Sequence, residues 1–285
     1  MRRSPRTLFF SGALALAIAI LPTVALGNHS WGGYHWARTA NPFTVKLGDN
    51  VSGSWDTLLK QAVSSEWSAS TVLDTQVVGG GITGSSCDPT LGRVEVCSAN
   101  YGDTGWLGLA QIWLYLGSKH IAQGIVENND FYFGNSSYRY NNSAEMQHVI
   151  CQEVGHTLGL DHQSTNGASL NTCMDYYHNT SSTDTKSTEP NEGDYDELLC
   201  IYDPTFKRQT LTSSDGTHSC RGRGHLDRTN SATFGANGNG LFGASDAAAG
   251  GWGRLVATSD GGFASTFVRE LGDGRAIVTF VIWAS

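Results

Sequence analysis

The chain has 285 residues, is 39% hydrophobic and carries a formal net charge of −8. Its length suffices for one well-buried domain with smaller additions. Its acidic balance argues against nucleic acid as a partner, because phosphates are met by stripes of Lys and Arg.

The N-terminus reads as an export signal. Arg2, Arg3 and Arg6 form a basic start, Leu8 to Leu21 is an apolar run, and Ala25-Leu26-Gly27 is a small-residue cleavage site. A signal peptide over 1–27 is expected, cut after Gly27. The run is short for a span of about 20 apolar residues, and no other run of the kind follows. The mature protein is therefore expected to be secreted, extracellular and free of the membrane. Loss of three arginines and no acids takes the net charge to −11.

The main domain is expected over 28–205. "NPFTVKLGD" reads as a strand ending in a turn. Trp55, Leu58, Leu59, Ala62, Val63 and Trp67 recur at helical spacing and predict an amphipathic helix over about 54–69. Four strand-like runs follow, "TVLDTQVV", "GRVEVCSANY", "GWLGLAQIWLY" and "HIAQGIVENN", separated by Gly, Asp and Asn clusters. A helix capped by Ser143 runs to Gly159, and "DYDELLCIYD" is a last short helix before Pro204. Residues 206–251 turn Gly/Ser/Asn-rich and read as a linker. Residues 252–285 recover β character, with "FASTFVREL" and "AIVTFVIWA" alternating around Gly272-Asp273-Gly274-Arg275 as a hairpin. Such a hairpin is marginal alone and should pack on the main domain or on a partner.

The helix beginning at Ser143 contains "CQEVGHTLGLDHQ", residues 151–163. Gln152 and His156, four apart, share one helix face. Gly159 can end the helix in the left-handed region, so that His162 meets the same point from the other side. Glu153 lies beside that point, where a general base belongs. His148 also shares the face, but sits eight residues before His156, roughly 12 Å along the axis. It is expected at the surface or behind the site. Gln152 offers a neutral oxygen where zinc prefers imidazole or thiolate, so a weaker but more electrophilic metal site is expected. Downstream comes "NTCMDYY", residues 171–177.

All six cysteines lie after the signal: Cys87, Cys97, Cys151, Cys173, Cys200 and Cys220. An even count in an exported chain suggests disulfides, although six cysteines permit 15 pairings. Cys87 and Cys97 flank a short loop. A Cys151–Cys173 bridge would join the two motif segments and leave Cys200 with Cys220.

With a histidine in place of Gln152, residues 152–162 would read H-E-x-x-H-x-x-G-x-x-H. Together with "CMDY", this resembles the metzincin zinc peptidases, nearest to the matrixin-like and snapalysin-like secreted forms, over roughly residues 41–203. The resemblance implies an α+β fold with a twisted mixed sheet, a zinc-site helix and a Met-turn. It implies one catalytic zinc ion on Gln152, His156 and His162, with Glu153 as base and Met174 as the floor. Tyr176 would stabilise the oxyanion. The expected activity is that of a monomeric metalloendopeptidase acting on proteins or peptides. A substrate would lie extended along an edge strand, for which "HIAQGIVENN" is the candidate. The alternatives are a peptide-binding module of the same fold without useful turnover, and a structural protein whose two histidines merely hold a loop.

Overall fold

The computed structural model describes residues 29–82, 85–164, 166–206, 210–213, 216–219 and 251–284, with backbone alone over 206–219. The signal segment, Cys220 and most of the linker lie outside the described residues. Helices are few and the sheet is mixed, so the molecule is of the mixed α/β kind.

Strands β1 (His35–Trp36), β2 (Phe43–Asn50), β3 (Leu73–Gly79), β4 (Val94–Ala99), β5 (Trp106–Tyr115) and β6 (His120–Asn129) form the first part of the sheet. The order is β3-β2-β4-β6-β5. All pairs are parallel except β5 with β6, and β1 adds a short parallel pairing at the start of β6. Between β2 and β3 the predicted helix forms as α1 (Ser54–Gln61), then widens to a π turn over Ala62–Glu66 and tightens over Trp67–Ala69. Ser64 and Ser65 donate back to the carbonyls of Lys60 and Gln61, local competition that a regular α-helix tolerates poorly. A single turn, α2 (Asp130–Phe133), follows β6.

Helix α3 (Ser143–Thr157) crosses one face of the sheet. Its cap is Asn142 rather than Ser143: the Asn142 side chain accepts from the Glu145 amide at 3.0 Å. From Ala144 to Thr157 every residue but Met146 is buried, because the sheet covers one side and Trp67 and the 171–177 turn cover the other. Helix α4 (Glu192–Tyr202) starts with a capping box between Asn191 and Asp194. Strands β7 (Thr210–Ser213) and β8 (Gly216–Ser219) form a separate pair.

The C-terminal hairpin continues the main sheet. Strands β9 (Arg254–Thr258), β10 (Ala264–Gly272) and β11 (Arg275–Trp283) extend it in the order β5-β11-β10-β9. The turn falls where the sequence puts it, with Gly272, Asp273 and Gly274 all at positive φ. Strand β11 runs antiparallel along the whole of β5, from Arg275 opposite Tyr115 to Trp283 opposite Trp106. The edge-strand expectation is thereby corrected. "HIAQGIVENN" is the internal strand β6, flanked by β4 and β5, so it has no free edge. The first part of the sheet has two edge strands, β3 and β5, and β11 occupies the free edge of β5.

Cys87–Cys97 and Cys151–Cys173 are bridged, and Cys200 is also disulfide-bonded. These bridges suit an oxidising compartment. Among the described residues, no helix is long and apolar enough to cross a membrane.

Candidate metal centre

Helix α3 carries Gln152, Glu153 and His156, all buried. It stops where the sequence demands. Gly159 sits at φ 99°, and a Cβ there would strike the Tyr34 carbonyl oxygen. The chain then turns back through His162. Residues 29–31 hold this turn: Trp31 donates to the Gly159 carbonyl at 3.3 Å, Asp161 donates to the His29 carbonyl, and His29 Nε2 lies 3.2 Å from Asp194 Oδ1 on α4.

His156 and His162 meet, their Nε2 atoms 2.9 Å apart. His156 Nδ1 donates to the Leu160 carbonyl at 3.0 Å, which leaves a lone pair on its Nε2. His162 Nδ1 lies 2.7 Å from the Tyr176 hydroxyl and 3.3 Å from Asp161 Oδ1. One proton between the two Nε2 atoms closes a chain from Tyr176 through both rings to Leu160. A cation between them would instead put that proton on His162 Nδ1, where Asp161 can accept it. Orientation of a ligand imidazole through its far nitrogen is the usual support for metal binding. Burial, with His162 nearby, holds His156 well below its usual range. Burial likewise lowers His162 against the pull of Asp161. Neutral rings are the form a metal needs.

Gln152 is tied to the turn. Its Nε2 donates to the carbonyls of Cys173 and Asp175, each at 2.7 Å, and lies 3.3 Å from His148 Nε2. Two carbonyls can accept only from the amide nitrogen, which fixes the orientation of the side chain. Its Oε1 is left buried without a hydrogen-bond donor, and both carboxyl oxygens of Glu153 are likewise buried without partners. Burial pushes the Glu153 carboxyl well above the usual range. Buried polar atoms normally find partners, so the three unpartnered oxygens on the helix that carries His156 are the atoms there that a cation or a water would satisfy.

Met174 lies under the helix. Gly155 permits this approach, because a Cβ there would come within 2.5 Å of Met174 Sδ and 2.7 Å of the Trp67 ring. The Cys151–Cys173 bridge fastens α3 to the same turn across a separation of 22 residues. Replacing both cysteines with alanine should lower unfolding stability by about 2–5 kcal/mol, read as a shift of the urea midpoint. Tyr176, expected at the oxyanion, has its hydroxyl on His162 and its ring 4.1 Å from that imidazole.

A second group was not legible in the sequence. Glu145, His148 and His178 present ligand atoms all within 4.8 Å of one another and could hold a metal ion. His148 is fully buried rather than at the surface. Its Nδ1 lies 3.5 Å from Glu145 Oε2 and its Nε2 3.2 Å from the Asp175 carbonyl. His178 Nδ1 and the Asn179 amide donate to Glu145 at 2.5 and 2.6 Å. Burial works against a charged His148, but Glu145 and Asp175 outweigh it and raise its pKa. Comparison with protein-family models gives no match, and comparison with curated proteins gives none either.

Proposed function

We propose that the chain is a secreted zinc-dependent metalloendopeptidase of the metzincin type. The observation that carries the reading is the meeting of the buried His156 and His162 through their Nε2 atoms, with Gln152 Oε1 and both Glu153 oxygens buried without partners on the helix that carries His156. The chain order supports it too: strand β2, helix α1, strands β3 to β6, the ligand helix α3, a buried methionine turn and the last helix α4.

Gln152 Oε1, His156 Nε2 and His162 Nε2 would hold the ion. Zinc in such a site supplies an electrophile for a peptide carbonyl and an acidified water. Burial alone keeps the Glu153 carboxyl protonated, and the charge of a bound cation would favour its ionised form. In that form it takes the proton of the attacking water on a carboxylate oxygen and passes it to the nitrogen of the departing amine. Tyr176 and Asp161 hold the His162 ring through Nδ1, and the Leu160 carbonyl holds His156. The Cys173 and Asp175 carbonyls engage the Gln152 amide nitrogen, which leaves its oxygen as the atom that would serve as ligand. Substrate is an extended protein or peptide segment, and a monomer suffices.

The test is metal analysis of the purified protein together with two variants. Gln152→Ala should bind zinc more weakly than the parent, and Gln152→His more tightly, because imidazole suits zinc better than an amide. Competition titration against a chromogenic chelator measures both. Equal affinity in all three proteins would remove Gln152 from the ligand set. The alternative of a peptide-binding module without turnover draws on the buried state of Glu153. It requires that no unstructured protein substrate be cut in the presence of zinc.

A further inference from the structure

We propose that strand β11 is the chain's own occupant of the peptide-binding edge, and that it keeps the site closed until it is displaced. This rests on the peptidase reading for the identity of the edge, not for the fact of its occupation.

Peptide ligands commonly bind as an added strand on an exposed sheet edge. The edge beside α3 is β5. Gly108 of β5 lies directly over the site, since a Cβ there would reach 3.3 Å from Glu153 Cγ and strike Val149. An extended peptide running along β5 would therefore pass the base and the histidines. Strand β11 already takes that path, antiparallel to β5, with Ile282 opposite Gly108 and Phe280 opposite Ala110.

The side chains follow the same logic. Residues alternate across a strand, and Val278, Phe280 and Ile282 fall on the α3 side, within the main core. Phe280 lies flat on His156, ring centroids 4.1 Å apart at an interplanar angle of 6°. It meets His162 edge-on at 6.5 Å and Trp31 edge-on at 6.0 Å. With Phe280 fully buried on the imidazole, a substrate side chain has no place to lie there. The hairpin is pinned at several further points: Gln111 Nε2 donates to Thr279 Oγ1 at 2.9 Å, Leu116 to the Gly274 carbonyl at 2.8 Å and Ala284 to the Gly105 carbonyl at 2.7 Å. An occupant held at so many points is not lost by fraying. Its removal calls for a break in the chain or a stronger ligand. In sequence, the hairpin is joined to the main domain only through the Gly/Ser/Asn-rich stretch before residue 251.

The experiment uses the full mature chain with a site for a sequence-specific protease introduced at Gly240, compared intact and cut. Accessibility of His156 is read by diethylpyrocarbonate modification and peptide mass mapping, with hydrogen exchange across β5 alongside. Hydrolysis of an unstructured protein with zinc present is measured separately. A second full-length protein, Phe280→Ala, is run without cutting, its folding checked by a cooperative thermal transition.

The expected result is that His156 modification and β5 exchange rise about tenfold or more on cutting, and that Phe280→Ala raises His156 modification in the uncut chain. A synthetic peptide of residues 275–283, added in excess to the cut chain, should restore protection. Unchanged His156 protection in both the cut chain and folded Phe280→Ala would overturn the proposal. So would hydrolysis that is measurable and equal in intact and cut protein, a result that leaves the peptidase reading standing. Conversely, exposure of His156 without hydrolysis upholds β11 as the cover and removes the peptidase reading.

Discussion

Replacing Glu153 with alanine should lower peptide hydrolysis by about 10²–10⁴-fold while leaving zinc content at the parent level. The carboxyl is not among the proposed ligands, so its loss should not release the ion. Nor does it hold the fold together, since neither oxygen has a hydrogen-bond partner. Removing a buried, unpartnered acid relieves a desolvation cost, so the variant should unfold no earlier than the parent. Activity and stability should thus move in opposite directions, which a structural role for Glu153 could not produce. The comparison belongs on the chain cut at residue 240 as well as on the intact one, because Phe280 of β11 lies over His156 on the same helix. If the variant hydrolyses substrate as fast as the parent, Glu153 is not the base. If it loses its zinc as well, the ligand set is wrong.

What the sequence disclosed is what depends on local chemistry. The α3 helix, its stop at Gly159 and the return through His162 follow from a run of helix formers and from a glycine that alone tolerates φ 99°. The 272–275 turn follows from the same kind of reasoning. Partner choice along the sheet was not legible. "GWLGLAQIWLY" is apolar on both faces and "HIAQGIVENN" mixes Ile, Ala and Val with Gln, Glu and Asn on its faces, so nothing in either says which neighbours it pairs with. The near-continuous apolar run of β5 does fit its final state, buried between β6 and β11. Strand β11 was readable as half of a hairpin, yet its docking on β5 is a contact made across more than 150 residues. The Glu145, His148 and His178 group was hidden for a similar reason. His148 is one turn from Glu145, but His178 arrives 33 residues later on the chain leaving the 171–177 turn. The π turn at 62–66 escaped because Ser64 and Ser65 keep the helical spacing while loosening its hydrogen bonds.

Glu145→Gln should cost about 3–5 kcal/mol of unfolding stability near neutral pH, the typical penalty for stranding one side of a buried ion pair. Glu145 and His148 have fully buried side chains, and Glu145 also receives His178 Nδ1 and the Asn179 amide. An amide in its place would turn donor hydrogens toward donors. Burial by itself raises the Glu145 carboxyl, but hydrogen bonds and charge from His148 and His178 outweigh it and hold it at about 2. A carboxylate depressed in the folded state contributes stability that is complete above its unfolded value of 4.5. That contribution drains away as pH falls toward 2. The parent should therefore lose stability steeply over that acid window, and Glu145→Gln should show a flatter limb there. Urea midpoints measured from pH 2 to pH 7 test both points. The same titration discriminates the two ways of filling this group. Held by protons, as the doubly engaged His148 ring favours, it keeps its stability when a chelator is added. Held by a metal ion, it loses stability to the chelator at neutral pH in the parent and not in Glu145→Gln. The first outcome leaves Gln152, His156 and His162 as the centre to which chelator-sensitive activity belongs. It also gives His148 a purpose beside that centre: a buried cation that steadies the turn whose carbonyls orient Gln152.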